Sequence, residues 1–467
     1  MLHRRILFPM VVLVFLVVNV NLRGQAMPLA PDMQLAHDIY KEFIEIHSGV
    51  MTGATTPVAE AAARRLKDAG FPDSDIFLGG PTPQKFNLVV RYHGTGAQKP
   101  LLLLAHTDVV EAKREDWSMD PFVFTEKDGY YYGRGTGDDK AQAAVWIATL
   151  IRFKREGYVP DRDIIVALTA DEEGGAYNGV AWLIKNHRDL IDADIALNEG
   201  GWGEEADGKM ISNDLQVSEK YVINYTFAVH NKGGHSSMPV PDNAIYHLAG
   251  ALLHLSAFGF PLKTNDVTAA YFAEMTKIET GPIKADLAQV AQGSQEAMER
   301  VAAYSPEWNS TLRTTCVATM LAGGHASNAL PELATATVNC RVLPEDSPEY
   351  VLSTLEKIVD DPEVSITSSR QSSGAPPSPL RPDVLNAVRS ASEKEFPGVP
   401  VVPIMVTGAT DGRQLRIIGI PTYGVQGFFF DRDDIRFHGR DERMKISSFY
   451  QGQEFLYDLV KTLTAPA

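Results

Sequence analysis

Short apolar runs, each followed at once by histidine or carboxylate, constrain this chain more than any other feature. Leu101–Ala105 leads into His106-Thr107-Asp108, Ile164–Ala170 into Asp171-Glu172-Glu173, and Ala193–Leu197 into Asn198-Glu199-Gly200-Gly201. Runs of this length, rich in Leu, Ile and Val, read as strands buried on both faces, as in parallel sheets. Between them, Lys140–Glu156 carries Ala144, Ile147, Ala148 and Ile151 on one helical face, and Gly157 closes it. Alternating strands and helices predict an α/β architecture with a mostly parallel sheet. In open sheets of that kind, ligands bind beyond the carboxyl ends of the strands. The polar clusters fall at those ends.

Their chemistry points to a metal. His106 needs its second ring nitrogen held by a carboxylate or carbonyl if it is to ligate, and Asp108 stands two positions on. Asp138-Asp139 ends a glycine-rich turn and opens a helix, so one of these acids serves equally as a cap or as a bridge between two cations. Asp171-Glu172-Glu173 is either a solvated acidic turn or a ligand beside a general base. His438 lies far downstream in Phe437-His438-Gly439-Arg440-Asp441-Glu442. Imidazoles and carboxylates converging on one sheet edge make an N/O site of the kind zinc uses in catalysis.

Downstream of Val217 the pattern changes. Tyr221–His230, Thr311–Met320, Ala334–Leu343 and Val364–Ser369 read as strands, and Asn243–Leu255 and Ser347–Val359 as helices. That β-α-β-β-α-β order predicts a ferredoxin-like sandwich, interrupted by a mostly helical insertion over 256–310. The Ser-, Gly- and Pro-bearing linker Gln371–Pro382 marks a boundary. The expected organisation is a leader at 1–26, a catalytic domain at 27–216 and 373–467, and an inserted domain at 217–372.

The 467 residues are 44% hydrophobic, enough for two domains, and the formal net charge of −16 argues against nucleic acid. His3, Arg4 and Arg5, then apolar Ile6–Val20, then Gly24-Gln25-Ala26, have the layout of a cleaved secretory signal. The apolar part, broken by Asn19, falls short of the ~20 residues that span a membrane. The chain is thus expected to be exported, periplasmic or secreted, with no stable membrane association after cleavage. Its two cysteines, Cys316 and Cys340, could pair in an exported protein or stay as core thiols.

These motifs resemble the dizinc exopeptidases and amidohydrolases that include carboxypeptidase G, carboxypeptidase S, carnosinase-type dipeptidases, aminoacylase and succinyl-diaminopimelate desuccinylase. The likeness runs from about Ala36 to about Thr462. It rests on His-Thr-Asp-Val-Val at 106–110, Gly-Arg-Gly-x-x-Asp-x-Lys at 133–140, Asp-Glu-Glu at 171–173, Asn-Glu-Gly-Gly at 198–201, Gly-Gly-His-Ser-Ser at 233–237, Asn328 with Arg341, Gly-Ala-Thr-Asp at 408–411, and His438. The resemblance implies a mostly parallel α/β catalytic domain with an inserted ferredoxin-like lid and dimerisation domain. It implies two zinc ions per subunit, replaceable by Co or Mn. His106, Asp138 and Glu199 would hold one, and Asp138, Glu173 and His438 the other, with Asp138 bridging.

By the same resemblance, Asp108 orients His106 and Glu172 is the general base. His235 reaches a partner subunit's site in a homodimer, Asn328 and Arg341 contact substrate, and Thr410 lies in the loop that meets its carboxylate. Ala141 departs from the family's usual Gly. Glu at 199 and the 256–310 insertion resemble the aminoacylase and carboxypeptidase S side. The implied reaction is hydrolysis of an amide or peptide bond beside a free carboxylate. The alternative substrate is an N-acyl amino acid. A non-catalytic exported binding protein would lack the base or a ligand, and this sequence lacks neither.

Overall fold

The computed structural model describes residues 29–368 and 373–466. The expected leader and the start of the 371–382 linker fall outside them. A ten-stranded sheet organises the larger part of the chain. Its centre is parallel: Gln98–His106 lies between Arg162–Thr169 and Ile195–Asn198, and Thr422–Gly424 continues in parallel beside the last. Ile76–Gly79 and Asn87–Tyr92 add antiparallel strands at one edge.

Strand alternation explains why both faces are covered. Leu101, Leu103 and Ala105 pack into one core with Trp146, Ile147 and Leu150 of the helix Lys140–Glu156. Leu102 and Leu104 face the opposite core with Val180 and Leu183 of Gly179–Asn186. Each such leucine is 0–1% exposed, and full burial of one contributes about 1.5–3 kcal/mol. The helix Lys140–Glu156 ends where Gly157 turns into the left-handed region at φ 65°.

The chain leaves this sheet along Lys209–Glu219 and enters a second one at Tyr221–His230. The second sheet has four antiparallel strands in the order Thr315–Gly323, Leu333–Val342, Tyr221–His230, Val364–Ser368. Helices Ala244–Ala257 and Pro348–Val359 share its core, which is the ferredoxin-like arrangement. Residues 266–312 form four helices with their own core around Phe272, Leu287, Val301 and Trp308. The first of them, Asp266–Ile278, packs on the main-sheet strand Val401–Val406.

One expectation needs correction, and one question left open by the sequence is decided. Thr311 and Leu312 end the helix Pro306–Leu312, and the strand expected from Thr311 begins only at Thr315. Cys316 and Cys340 are directly opposed on neighbouring strands, with Cα atoms 4.1 Å apart, and form a disulfide. They are not separate core thiols. Their distance in sequence hid a cross-strand register that only the folded sheet supplies. The strand Lys209–Glu219 and its hairpin mate Gly203–Ala206 were not anticipated, because their polar residues blur the period-2 pattern.

Candidate metal centre

Register places the polar clusters side by side. His106 pairs with Thr169 across the parallel ladder, and Leu103 with Leu197, so the residues after each strand emerge at one edge. Asp138 comes from the turn before the helix Lys140–Glu156, across a cis Asp138–Asp139 peptide. His438 arrives on a loop at φ 60°.

Asp138 stands at the middle. Its Oδ1 is 2.8 Å from His106 Nε2, and its Oδ2 is 3.1 Å from His438 Nε2. Glu199 Oε1 is 3.8 Å from His106 Nε2, and Glu173 Oε2 is 3.1 Å from His438 Nε2. Ligand atoms of His106, Asp138 and Glu173, and those of His106, Glu172 and Glu199, form two groups each within 4.8 Å. The structure thus gathers all five expected ligands, and Glu172 with them.

The electrostatics call for cations. Burial, and then the charges of Asp411, Glu173 and Asp138, push Glu172 well above the usual carboxylate range against the pull of His106. Burial raises Glu199 and Glu173 as well. Asp138 is held low despite burial, because His106 and His438 face its two oxygens. Hydrogen bonds donated to Asp138 and Glu173 raise His438 to about 10. His106 Nδ1 donates to the Asp108 carbonyl at 3.0 Å. In a neutral ring, Nε2 would then turn its lone pair toward the Asp138 carboxylate, which only a proton or a cation reconciles. Glu173 Oε1 is buried with no hydrogen-bond partner. Four carboxylates facing two imidazoles, one with an orphaned oxygen, fit a pair of divalent cations.

Asp108 lies against His106 as expected, with the closer contact made by its backbone carbonyl. The Asp108 carboxylate is 3.6 Å from the His106 ring, which is oriented by the Asp108 backbone carbonyl. The carboxylate accepts the backbone N–H of Glu172 at 3.1 Å and of Glu173 at 3.0 Å. It therefore grips the turn that carries both glutamates. The same turn is tied down by a buried Lys85–Asp171 ion pair of 2.7 Å and by Asn178, which donates to the Asp171 carbonyl and to Asp411 Oδ1.

Sequence reasoning missed Glu442. Buried, it accepts from Arg134 Nη1 at 2.6 Å and from the backbone N–H of Gly137 at 2.7 Å and Gly135 at 3.2 Å. It fixes the glycine-rich turn under Asp138. Its only signal was membership of the His438 segment. Asp139 accepts from Gln426 Nε2 at 3.0 Å and makes no side-chain cap.

Of the expected substrate residues, Thr410 lies against Gly200 beside Glu199, and His235, Asn328 and Arg341 sit on the inserted domain. His235 is exposed on a two-stranded ribbon, Gly234–His235 against Ala329–Leu330, with Ser237 on its Nδ1. Asn328 adjoins it, its carbonyl accepting from Ser236 N at 3.0 Å. No hydrogen bond or ion pair joins His235 to the metal-centre carboxylates among the described residues. Arg341 lies opposite Val222 and Thr315, on the face of the small sheet turned away from its core. Thr410 N and Oγ1 both donate to Glu219 Oε2, at 2.8 and 2.9 Å, and Arg416 pairs with the same carboxylate at 2.6 Å.

Fold and site together define a metallohydrolase that acts on C–N bonds. The chain matches Peptidase family M20/M25/M40 over residues 102–462 and belongs to that family. It is 28% identical to the N-fatty-acyl-amino acid synthase/hydrolase PM20D1 of Xenopus tropicalis, over 78% of this chain and 72% of that protein. It is 29% identical to the probable carboxypeptidase S-like 2 of Dictyostelium discoideum, over 84% and 77% respectively. In fold it is similar to the M20 family metallo-carboxypeptidase Sso-CP2 from Sulfolobus solfataricus, with TM-score 0.68, 16% identity, and 93% and 99% of the two chains covered.

Proposed function

We propose that the protein is an exported dizinc exopeptidase of carboxypeptidase or dipeptidase type, cleaving an amide bond beside a free carboxylate. One observation carries the reading: the two oxygens of Asp138 face two different imidazoles, with Glu172 alongside. His106, Asp138 and Glu199 would hold one ion, and Asp138, Glu173 and His438 the other. Bound there, the ions polarise a carbonyl and acidify water. Glu172 would take the water's proton and pass it to the leaving amine. Asp108 keeps Glu172 in place through the backbone. His235 would stabilise the oxyanion, and Arg341, Asn328 and the Thr410 loop would bind the substrate around its carboxylate.

The names of two relatives support different acyl groups. Likeness to a carboxypeptidase S-like protein favours peptides, and likeness to PM20D1 favours N-acyl amino acids. Hydrolysis of a panel of dipeptides and N-acyl amino acids by zinc-loaded protein, with metal analysis, tests both. No metal-dependent cleavage of either class refutes the hydrolase reading.

A homodimer would give His235, which makes no hydrogen bond or ion pair to the centre of its own chain among the described residues, a partner site to reach. The edge strand Thr315–Gly323 exposes Val317, Met320 and Leu321 at 60–70%, and the adjoining helix exposes Tyr246 and Leu253 at 67% and 68%. An unpaired strand edge beside an apolar helix face is a pairing surface. Export rests on the basic and apolar layout of the first residues. No described helix is long and apolar enough to cross a membrane.

A further inference from the structure

The helical insertion closes a cavity of about 670 Å³ against the main sheet. Two chain segments that lead to the centre line it, although the metal-centre side chains themselves do not. Trp202, in its wall, directly follows Glu199-Gly200-Gly201, and its ring meets Phe437, next to His438, edge-on at 5.6 Å. Val406 and Thr407, which lead to the Thr410 loop, also line it. The insertion contributes Tyr271 and Trp308, joined by a 3.0 Å hydrogen bond from the indole, and Tyr304 stacked on Trp308 at 5.6 Å.

These aromatic walls carry acids. Asp214 is 8% exposed, lines the cavity, and has only the Ser212 hydroxyl as a side-chain partner. Glu279 and Glu307 also line it. The one cation in the lining, Arg432, is paired with Glu204 at 3.1 Å. No cation lies within ion-pair distance of Asp214, Glu279 or Glu307 among the described residues, although Arg432 is near enough for its charge to act on Asp214 and Glu307. Burial, and then the charges of Glu204 and Glu307, push Asp214 well above the usual carboxylate range against the pull of the Ser212 hydrogen bond and of Arg432. Such a carboxyl must carry a proton or meet a cation. A long alkyl chain placed here would strip these acids of water and return nothing. An ammonium or guanidinium would gain both the acids and the π faces.

We propose that this cavity is a subsite for a cationic side chain of the substrate, an ammonium or guanidinium presented by one of the residues flanking the scissile bond. The proposal rests on the exopeptidase reading for its access to substrate, but its test does not depend on turnover. Dipeptides carrying Lys or its uncharged isostere norleucine, at either position, are titrated calorimetrically into full-length, zinc-loaded Glu172→Gln protein. The Lys peptide is expected to bind at least about tenfold tighter at one position, the scale of one desolvated charge and cation–π contact. That ratio should collapse toward one in the added variants Asp214→Asn and Glu307→Gln, with norleucine binding unchanged. Glu307 stands at the exposed rim, so its variant keeps the test open if Asp214→Asn misfolds. Equal binding of Lys and norleucine peptides overturns the subsite, as does a Lys preference untouched by Glu307→Gln, or tighter binding of N-fatty-acyl norleucine insensitive to both variants. Wild-type zinc-loaded protein that cleaves none of these compounds refutes the exopeptidase reading alone, and the binding ratio then still decides the subsite.

Discussion

Asp108→Asn separates holding a ligand from holding the base. The Asp108 carboxylate accepts two backbone N–H groups, from Glu172 at 3.1 Å and Glu173 at 3.0 Å, while its own carbonyl orients His106. A carboxamide keeps one acceptor oxygen and presents a donor where the other stood. One charge-assisted bond, worth about 1.5–3 kcal/mol, is lost, and a buried N–H is left facing another N–H. The carbonyl that orients His106 is unchanged. The loss therefore falls on the turn that positions Glu172 and Glu173, not on the His106–Asp138 pair. If it is expressed in the transition state, at about 1.4 kcal/mol per tenfold, kcat falls roughly 10- to 100-fold. The ion held by His106, Asp138 and Glu199 should remain, and the one held through Glu173 should weaken. Steady-state kinetics with metal titration on the purified variant reads both effects. A variant with wild-type kcat and two equally tight ions would show that the carboxylate does not hold the turn.

Other expectations follow from the same geometry. Glu172→Gln should retain both metals by elemental analysis and lose about 10²–10⁴ in kcat, the range of a positioned acid–base group; near-wild-type turnover would remove Glu172 as the base. Arg341→Lys should weaken hydrolysis of free-carboxylate substrates by about 2–3 kcal/mol in kcat/KM, and equal losses on amidated substrates would make Arg341 structural. Mixing inactive Glu172→Gln with inactive His235→Ala protein should restore activity if His235 acts across a dimer, and a fully active monomer by ultracentrifugation would exclude that. In metal-free protein the His438 pKa is raised to about 10 from an ordinary 6.5. Its contribution to stability is then complete below about pH 6.5 and lost as pH rises through about 10. Denaturant unfolding of stripped wild type and His438→Gln across that window checks the sign, since the two curves should converge at high pH.

Much of this was legible locally. Leu101–Ala105 announces a strand buried on both faces because every residue is apolar, and His106 announces a strand end because polarity begins there. The residue types needed to hold metal, and the order of most elements along the chain, are likewise local properties of side-chain chemistry and hydrophobic period, the Gly203–Ala206 and Lys209–Glu219 strands excepted. What the tertiary structure alone decided are pairings between distant polar groups. Glu442 under the Asp138 turn, the Asp108 carboxylate on the Glu172–Glu173 backbone, and Glu219 clasping Thr410 and Arg416 carry no pattern in the chain. The same holds for the Cys316–Cys340 register and for the acid-lined cavity beneath the insertion. Periodicity records which face of an element is buried. It does not record which partner a buried donor or charge meets, because that choice is made only when burial of the apolar faces brings remote segments together and forces each enclosed polar group to find one.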